Sequence, residues 1–432
     1  MGVRPDPGQA GGRQPLVGAD RCGGRDGDGG TEGTGTADET TVRAVNALTV
    51  RWARFALHPR TGGVLSAACV WPLLAFLGGA ADGPARPELA AALEVDPDTA
   101  LSRGRALTEL LANQAGLSAA LGVWTQDRVV LREEWLRRLP PAVVGRLTGD
   151  AVKDRAELDA WADRATAGRV PRMPVGLDEA TVMVLAAALT VETRWLRPFV
   201  TARLRPRGGP WFGRDLAGLG RPGTDLDEVR VAATPHGRLT VFEVAGDNGI
   251  DVRLLMGEDG ASPRVVLAAG ERDLAGAYAS TGGGSLPEGE AGPGVTIVRG
   301  PAWEDSLWVT TPAFTVESDH DLLRRPEVFG LKAATDSTRG HFPGISRTRL
   351  AMSRGRQTVT ASFSAEGFEA AAVTAFEMRL GAGLPRSEAR QVDVAFDRPF
   401  AFLAVHRASR LILAAGWVAE PRAAPPGRPG GW

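Results

Sequence analysis

Five histidines are the side chains best suited to acid–base or metal chemistry in this sequence, and they are scattered: His58, His236, His320, His341 and His406. No two stand at metal-ligand spacing. There is no His-Glu-x-x-His and no Cys-x-x-Cys, so neither a zinc site nor any other cofactor is expected. Serine chemistry of the elbow type needs Gly-x-Ser-x-Gly, which is absent. Gly218-Leu219-Gly220-Arg221-Pro222-Gly223 matches the dinucleotide fingerprint by letter. Pro222 stands where the helix should run and no buried strand precedes it, so the segment reads as a glycine-rich surface loop. Asp26-Gly27-Asp28 opens like a calcium loop, but Gly30 occupies the next ligand position. Trp52, Trp161 and Trp195 sit on apolar faces and read as core rather than as a stacking platform. A dispersed serine triad would leave no local motif, and no spacing here points to one. The chain is expected not to be an enzyme.

The pattern that asks for an explanation lies near the C-terminus. From Gln357 to Glu366, Val359, Ala361, Phe363 and Ala365 alternate with Thr358, Thr360, Ser362 and Ser364. That is a strand with one apolar and one hydroxyl face. It leads into Gly367-Phe368-Glu369-Ala370-Ala371-Ala372-Val373-Thr374-Ala375. Such small residues make a poor core and a poor turn. They suit an extended segment that must slip between two existing strands and complete their hydrogen bonds. Glu366-Gly367 is then the hinge, with Gly367 supplying backbone freedom. The exposed bait runs on to about Pro385.

The surrounding elements must hold that segment out and later admit it. A helix is expected from a Thr36/Glu39 capping box, with Val42, Val45, Leu48, Trp52 and Phe55 on one face. Leu65–Leu77 reads as a buried helix opened by Ser66 and bent at Pro72. Shorter helices fit 87–93, 101–115 and 133–139, and 156–168 is amphipathic. Leu117–Thr125 reads as a strand, and Thr181–Val191 as a strand buried on both faces. Strands follow near 229–233, 239–244, 251–256, 295–298, 307–316, 400–405 and 411–418, separated by glycine-rich turns. Helices first and strands later argue for an α+β architecture.

Composition sets the frame. The chain has 432 residues, 43% hydrophobic and 23% charged, with net charge -1. Nucleic acid and membrane surfaces are therefore not expected as partners, and a core of this size needs no staples. Lys153 and Lys332 are the only lysines among 50 basic residues, which points to a GC-rich bacterial genome. Cys22 and Cys69 are read as two free thiols. Residues 1–36 are expected to be a disordered glycine-rich tail, 37–421 a single domain, with its loop at about 366–390, and 422–432 a flexible tail. No apolar signal core opens the sequence, so the cytoplasm is the expected compartment. Export from a different start or by another route is the alternative.

From about Thr41 to Pro421 the sequence resembles the serpin family of serine protease inhibitors. The segment Glu366–Thr374 looks like the family's Glu-Gly-Thr-Glu-Ala-Ala-Ala-Ala-Thr hinge. Trp161, Thr166 and Gly168 match a helix end; Thr181, Leu185, Ala188, Trp195 and Phe199 match the following strand. Asp397-Arg398-Pro399-Phe400 and Gly416–Pro421 match the C-terminal strands, and Leu65-Ser66, Gly79-Ala80 and Glu88-Leu89 the early helices. The resemblance implies an α+β fold with N-terminal helices, a large central mixed sheet, two smaller sheets and an exposed reactive-centre loop, and a monomeric suicide substrate. A subtilisin-, chymotrypsin- or trypsin-like serine protease, or a cysteine protease, cuts the bait, forms an acyl-enzyme and is trapped as the loop inserts. The alternative is a non-inhibitory serpin, cut as a substrate or acting as a binding protein. Three departures bear on insertion and sheet opening. Phe368 replaces a small residue at a position expected to face the sheet interior, where a ring would slow insertion. Gln357 stands for a histidine and Ala187 for an asparagine in the sheet-opening region near Ser66. Counting along the loop places the scissile bond among Arg379, Leu380, Gly381 and Ala382.

Overall fold

Residues 38–173, 175–178, 181–206, 208–368 and 387–424 are described by the computed structural model of the chain. The expected N-terminal tail with Cys22, the bait from Glu369 to Pro385, and the chain after Ala424 lie outside the described residues.

Six helices come early: α1 (Glu39–Ala56), α2 (Ala67–Gly78), α3 (Ala85–Leu93), α4 (Pro97–Asn113), α5 (Glu133–Arg138) and α6 (Ala151–Ala165). A seventh, α7 (Pro263–Leu274), interrupts the strands. The strands are β1 (Gly63–Leu65), β2 (Leu117–Gln126), β3 (Val144–Leu147), β4 (Met183–Val191), β5 (Thr193–Arg194), β6 (Val200–Leu204) and β7 (Leu216–Gly223). Next come β8 (Val229–Thr234), β9 (Gly237–Val244), β10 (Ile250–Met256), β11 (Ser280–Gly282), β12 (Gly289–Gly292), β13 (Val295–Ala302) and β14 (Ser306–Pro312). The last are β15 (Phe314–Asp321), β16 (Arg354–Phe363), β17 (Gly367–Phe368), β18 (Ser387–Ala395), β19 (Phe400–His406) and β20 (Leu411–Val418).

These strands form three sheets, and the architecture is α+β. The central sheet runs β3-β2-β4-β16-β15, with β17 and β5 at one end of the β4–β16 seam. It is mixed, because β4 and β16 run parallel while β2 and β15 are antiparallel to them. A second sheet runs β1-β20-β19-β10-β9-β8-β11 and a third β12-β13-β18-β14-β7-β6. The central and second sheets share one core with α1 and α2. A smaller cluster, with Leu158, Ala162, Trp124 and Ala186, seats α6 on the opposite face of β2 and β4.

Local chemistry explains the element boundaries. The cap of α1 is Asp38 rather than Thr36: its carboxylate accepts from Thr41 N at 3.1 Å and Thr41 Oγ1 at 2.8 Å, an N-cap bond that a nearer acidic residue makes better. Val45, Leu48 and Trp52 are buried as expected, but Phe55 is 54% exposed. All twelve residues of α2 are buried, so tertiary packing carries this helix through Pro72. Ser66 stands at its N-cap, yet its hydroxyl donates to Leu413 O at 2.6 Å and accepts no cap bond from the helix N–H groups. Cys69 is buried in the same helix, and burial pushes its thiol up to about 12.

Two expectations need correction. Gly218–Gly223 is not a surface loop but most of β7, paired with β6 and β14. Its glycines permit close approach: a Cβ at Gly218 would lie 2.8 Å from Leu204 N, and one at Gly220 2.7 Å from the Trp308 ring. Pro222, near the strand end, breaks no helix because none is there. The loop expected at about 366–390 overlaps β18, which starts at Ser387 and is held antiparallel by β13 and parallel by β14. The chain also stays engaged beyond Pro421. Ala217 N donates to Arg422 O at 3.0 Å, and Arg422 N to Ala313 O at 3.1 Å.

Candidate functional site

The strand expected over Gln357–Glu366 starts earlier and ends earlier, as β16. Its alternation is kept: Val359, Ala361 and Phe363 face the core. Ser364–Glu366 then form a tight turn. Ser364 N donates to Gly367 O at 2.9 Å, and Ser364 Oγ accepts from Gly367 N at 3.3 Å. The chain returns as β17, antiparallel to β16 with Phe368 opposite Phe363, and antiparallel to β5 with Gly367 opposite Arg194 and Phe368 opposite Thr193. Gly367 and Phe368 of the hinge are thus already a short strand wedged into the top of the central sheet.

The hinge is gripped by one segment. Trp195 N donates to Glu366 O at 2.9 Å, and its indole Nε1 to Ser364 O at 3.0 Å. Phe199 N donates to Ala365 O at 2.8 Å. The Trp195 and Phe199 rings pack on Phe363 at 4.8 and 5.4 Å between centroids. Gly367 is demanded here by crowding, not by a left-handed φ. A Cβ on it would lie 2.3 Å from Thr193 O.

Phe368 does face the interior, and its ring is already there. It is 1% exposed and meets Phe402 edge to face at 5.8 Å. Phe402 packs on Phe314 at 5.3 Å, which stacks on Phe363 at 5.3 Å. The expectation that the ring would obstruct entry is therefore revised: in the uncleaved chain no entry is left to make.

Below β17 the seam is closed. β4 and β16 pair directly from Val184–Arg354 to Leu189–Val359. Ser66, Ala187 and Gln357 meet on this seam. Ala187 and Gln357 are register partners. The Gln357 side-chain amide clasps the start of α2, with Oε1 accepting from Ser66 N at 3.0 Å and Nε2 donating to Ser66 O at 2.7 Å. Where a histidine was expected, the amide satisfies a donor and an acceptor at once. An imidazole does lie one strand over: His320, opposite Gln357 on β15, has its Nε2 2.7 Å from Val64 O. A carbonyl can only accept, so Nε2 carries the proton. Burial holds the His320 pKa below its ordinary value, partly offset by the Val64 bond and Asp319.

Glu366, Gly367 and Phe368 are thus brought together with the seam. The hinge residues Glu369, Ala370, Ala371, Ala372, Val373 and Thr374 and the candidate scissile residues Arg379, Leu380, Gly381 and Ala382 lie outside the described residues. The roles of His320, Thr193 and Phe402 had no local signal. Among the described residues no cluster of three or more His, Cys, Asp or Glu could hold a metal ion, and no helix is long and apolar enough to cross a membrane.

Residues 46–208 and 299–421 match the family model "Serpin (serine protease inhibitor)". Serpin A9 of Mus musculus is 24% identical over 280 residues, covering 63% of this chain and 59% of its own length. The match therefore spans less than two thirds of that relative. Native tengpin, a thermophilic serpin, superposes with a TM-score of 0.69 at 15% identity, covering 89% of this chain and 95% of its own. Serpin48 of the insect Tenebrio molitor, described as a highly specific serpin, gives 0.66 at 19% identity, covering 89% and 98%. At these identities the structural likenesses speak for the fold.

Proposed function

The chain belongs to the serpin family, and from that premise we propose that it inhibits serine-type endopeptidases as a suicide substrate. The protease serine attacks a carbonyl in the bait, the amine of the downstream half leaves, and an ester joins the bait to the enzyme. The freed upstream half enters the β4–β16 seam and carries the protease with it before water hydrolyses the ester. Members of the family are generally inhibitors rather than catalysts, and this chain needs no catalytic residue for the reaction.

The observation that carries the reading is the register. Continuing β17 along β16 brings Ala372 opposite Val359, Thr374 opposite Gln357 and Phe376 opposite Gly355. Continuing it along β5 and β4 brings the same residues opposite Leu189, Ala187 and Leu185. Those are the pairs that β4 and β16 already make with each other. An inserting strand would therefore fit both neighbours without a slip, which matters because a one-residue slip turns every side chain to the wrong face. In that register the interior positions after Phe368 fall on Ala370, Ala372 and Thr374, small enough for an occupied core.

The alternative, a serpin that is only cut, drew its support from the bulk of Phe368, and the seated ring removes that support. The test is a denaturing gel after mixing with subtilisin, chymotrypsin, trypsin and elastase in turn. A covalent complex that survives denaturant is expected with at least one of them, and mass analysis of the released fragment locates the bond. Clean loop cleavage by all of them, with full protease activity afterwards, would sink the proposal.

A further inference from the structure

Beside the hinge clamp lies a cavity of about 530 Å³ whose charged lining comprises five guanidinium groups and four carboxylates. The pairing within it is uneven. Glu228 serves both Arg197 and Arg221, the latter at 2.6 Å. Asp273 serves both Arg230 at 2.8 Å and Arg253 at 3.4 Å. Arg253 also reaches Glu243 at 2.7 Å. Arg410 meets no carboxylate among the described residues; its Nη1 donates to Leu274 O at 3.4 Å.

Arg221 is the unusual member. Its side chain is 5% exposed and lies over the Phe242 and Phe199 rings at 4.6 and 5.2 Å. Burial, with Arg197 nearby, lowers its pKa to about 10. A buried cation sharing one carboxylate with a second cation leaves positive charge under-compensated, and guanidinium forks suit oxygen anions in two-point contact.

The cavity wall is also part of the hinge clamp. Leu196 and Arg197 line it, and they sit between Trp195 and Phe199, whose backbone N–H groups hold Glu366 O and Ala365 O. Arg221 also packs on the Phe199 ring. We infer that this cavity binds a compact oxyanion, a carboxylate or a phosphate, through Arg197, Arg221 and Arg410, and that occupancy shifts the stability of the Ser364–Phe368 hinge. The binding half stands on the cavity alone; the coupling half rests on the bait-loop reading.

The experiment titrates the full chain with inorganic phosphate and with citrate by calorimetry, against chloride at matched ionic strength. Amide hydrogen exchange of residues 364–368 is followed in parallel. Wild type should bind one of the two anions saturably at one site, and the tighter anion separates phosphate from carboxylate chemistry. Arg197→Ala removes a half-exposed side chain, and Arg410→Gln keeps a donor for Leu274 O. Each should weaken binding about tenfold, the worth of one charge-assisted hydrogen bond. Exchange at 364–368 should change with the same midpoint as binding. No binding above chloride, or wild-type affinity in both variants, overturns the site. Binding that leaves the exchange untouched overturns the coupling. Neither readout uses a protease, so failure of the inhibitor proposal would be seen separately.

Discussion

Phe368→Thr separates two accounts of the hinge. If the ring were an obstacle to insertion, a small residue would raise the yield of trapped complex over cleaved protein. The structure argues otherwise, because the ring is buried before cleavage, 1% exposed and against Phe402. Removing it costs the hinge its anchor in both states alike. Truncating a buried Phe to Ala costs about 3–5 kcal/mol, and Thr keeps a methyl, so about 3 kcal/mol is expected. At 1.4 kcal/mol per factor of ten, opening of β17 becomes roughly a hundredfold more frequent. Hydrogen exchange of a peptide covering 364–368 reads that factor directly, since exchange there follows local opening. The ratio of complex to cleaved protein on a gel should stay within about twofold of wild type, well inside what 1.4 kcal/mol would do. A several-fold rise in that ratio with unchanged exchange would refute the argument that the ring is already seated.

Three further outcomes follow from the clamp and the seam. Gln357→Leu leaves Ser66 N–H and C=O buried without the partners they have at 3.0 and 2.7 Å; at about 1–3 kcal/mol per orphaned group, the urea midpoint should fall clearly, and an unchanged midpoint would contradict the clasp. Trp195→Phe keeps the ring packing but loses the indole bond to Ser364 O, so exchange at 364–366 should rise by about five- to tenfold, as for a bond worth about 1 kcal/mol. Because burial depresses the His320 pKa, the unfolded chain takes up that proton first as pH falls through its ordinary value near 6.5; stability is therefore full above that value and declines below it. His406 is shifted the same way by burial, so the check is the difference between wild type and His320→Gln, which keeps a donor for Val64 O without a charge; equal slopes between pH 7.5 and 5.5 would dismiss the role of His320.

What could be read in the sequence divides along physical lines. β16 was legible because its apolar residues alternate at the strand period and its other face is hydroxylated. β4 was legible as a nearly continuous apolar run. β7 was not, since its glycines exist to let Leu204 and Trp308 approach, and glycine with proline carries the signature of a turn. β17 is two residues long and exists only because β5 and β16 hold it, so no local pattern announces it. Nor could the clasp be read: Gln357 and Ser66 lie 291 positions apart, and Trp195 and Ser364 169. The family pattern located Gln357 and Ala187 as departures, but only the structure shows that the amide replaces an imidazole by bonding both backbone groups of Ser66, while a different imidazole faces the neighbouring strand.

The register moves the question of obstruction down the seam. If Phe368 is seated before cleavage, the next ring to enter an interior position is Phe376, which would come between Leu185 and Gly355. Leu185 is wholly buried, so one side offers no room. Gly355 has no side chain, and that absence is the space a ring could use. It is limited, since a Cβ there would already lie 3.2 Å from Leu322 Cβ, and overpacking a core typically costs about 1–3 kcal/mol. Insertion should therefore run easily through Ala370, Ala372 and Thr374 and slow at Phe376. Phe376→Ala should raise the complex-to-cleaved ratio by about fivefold or more, the equivalent of at least 1 kcal/mol off the insertion step, whereas Phe368→Thr should not. The reverse pattern, a gain at position 368 and none at 376, would mean that β17 does not set the register of insertion.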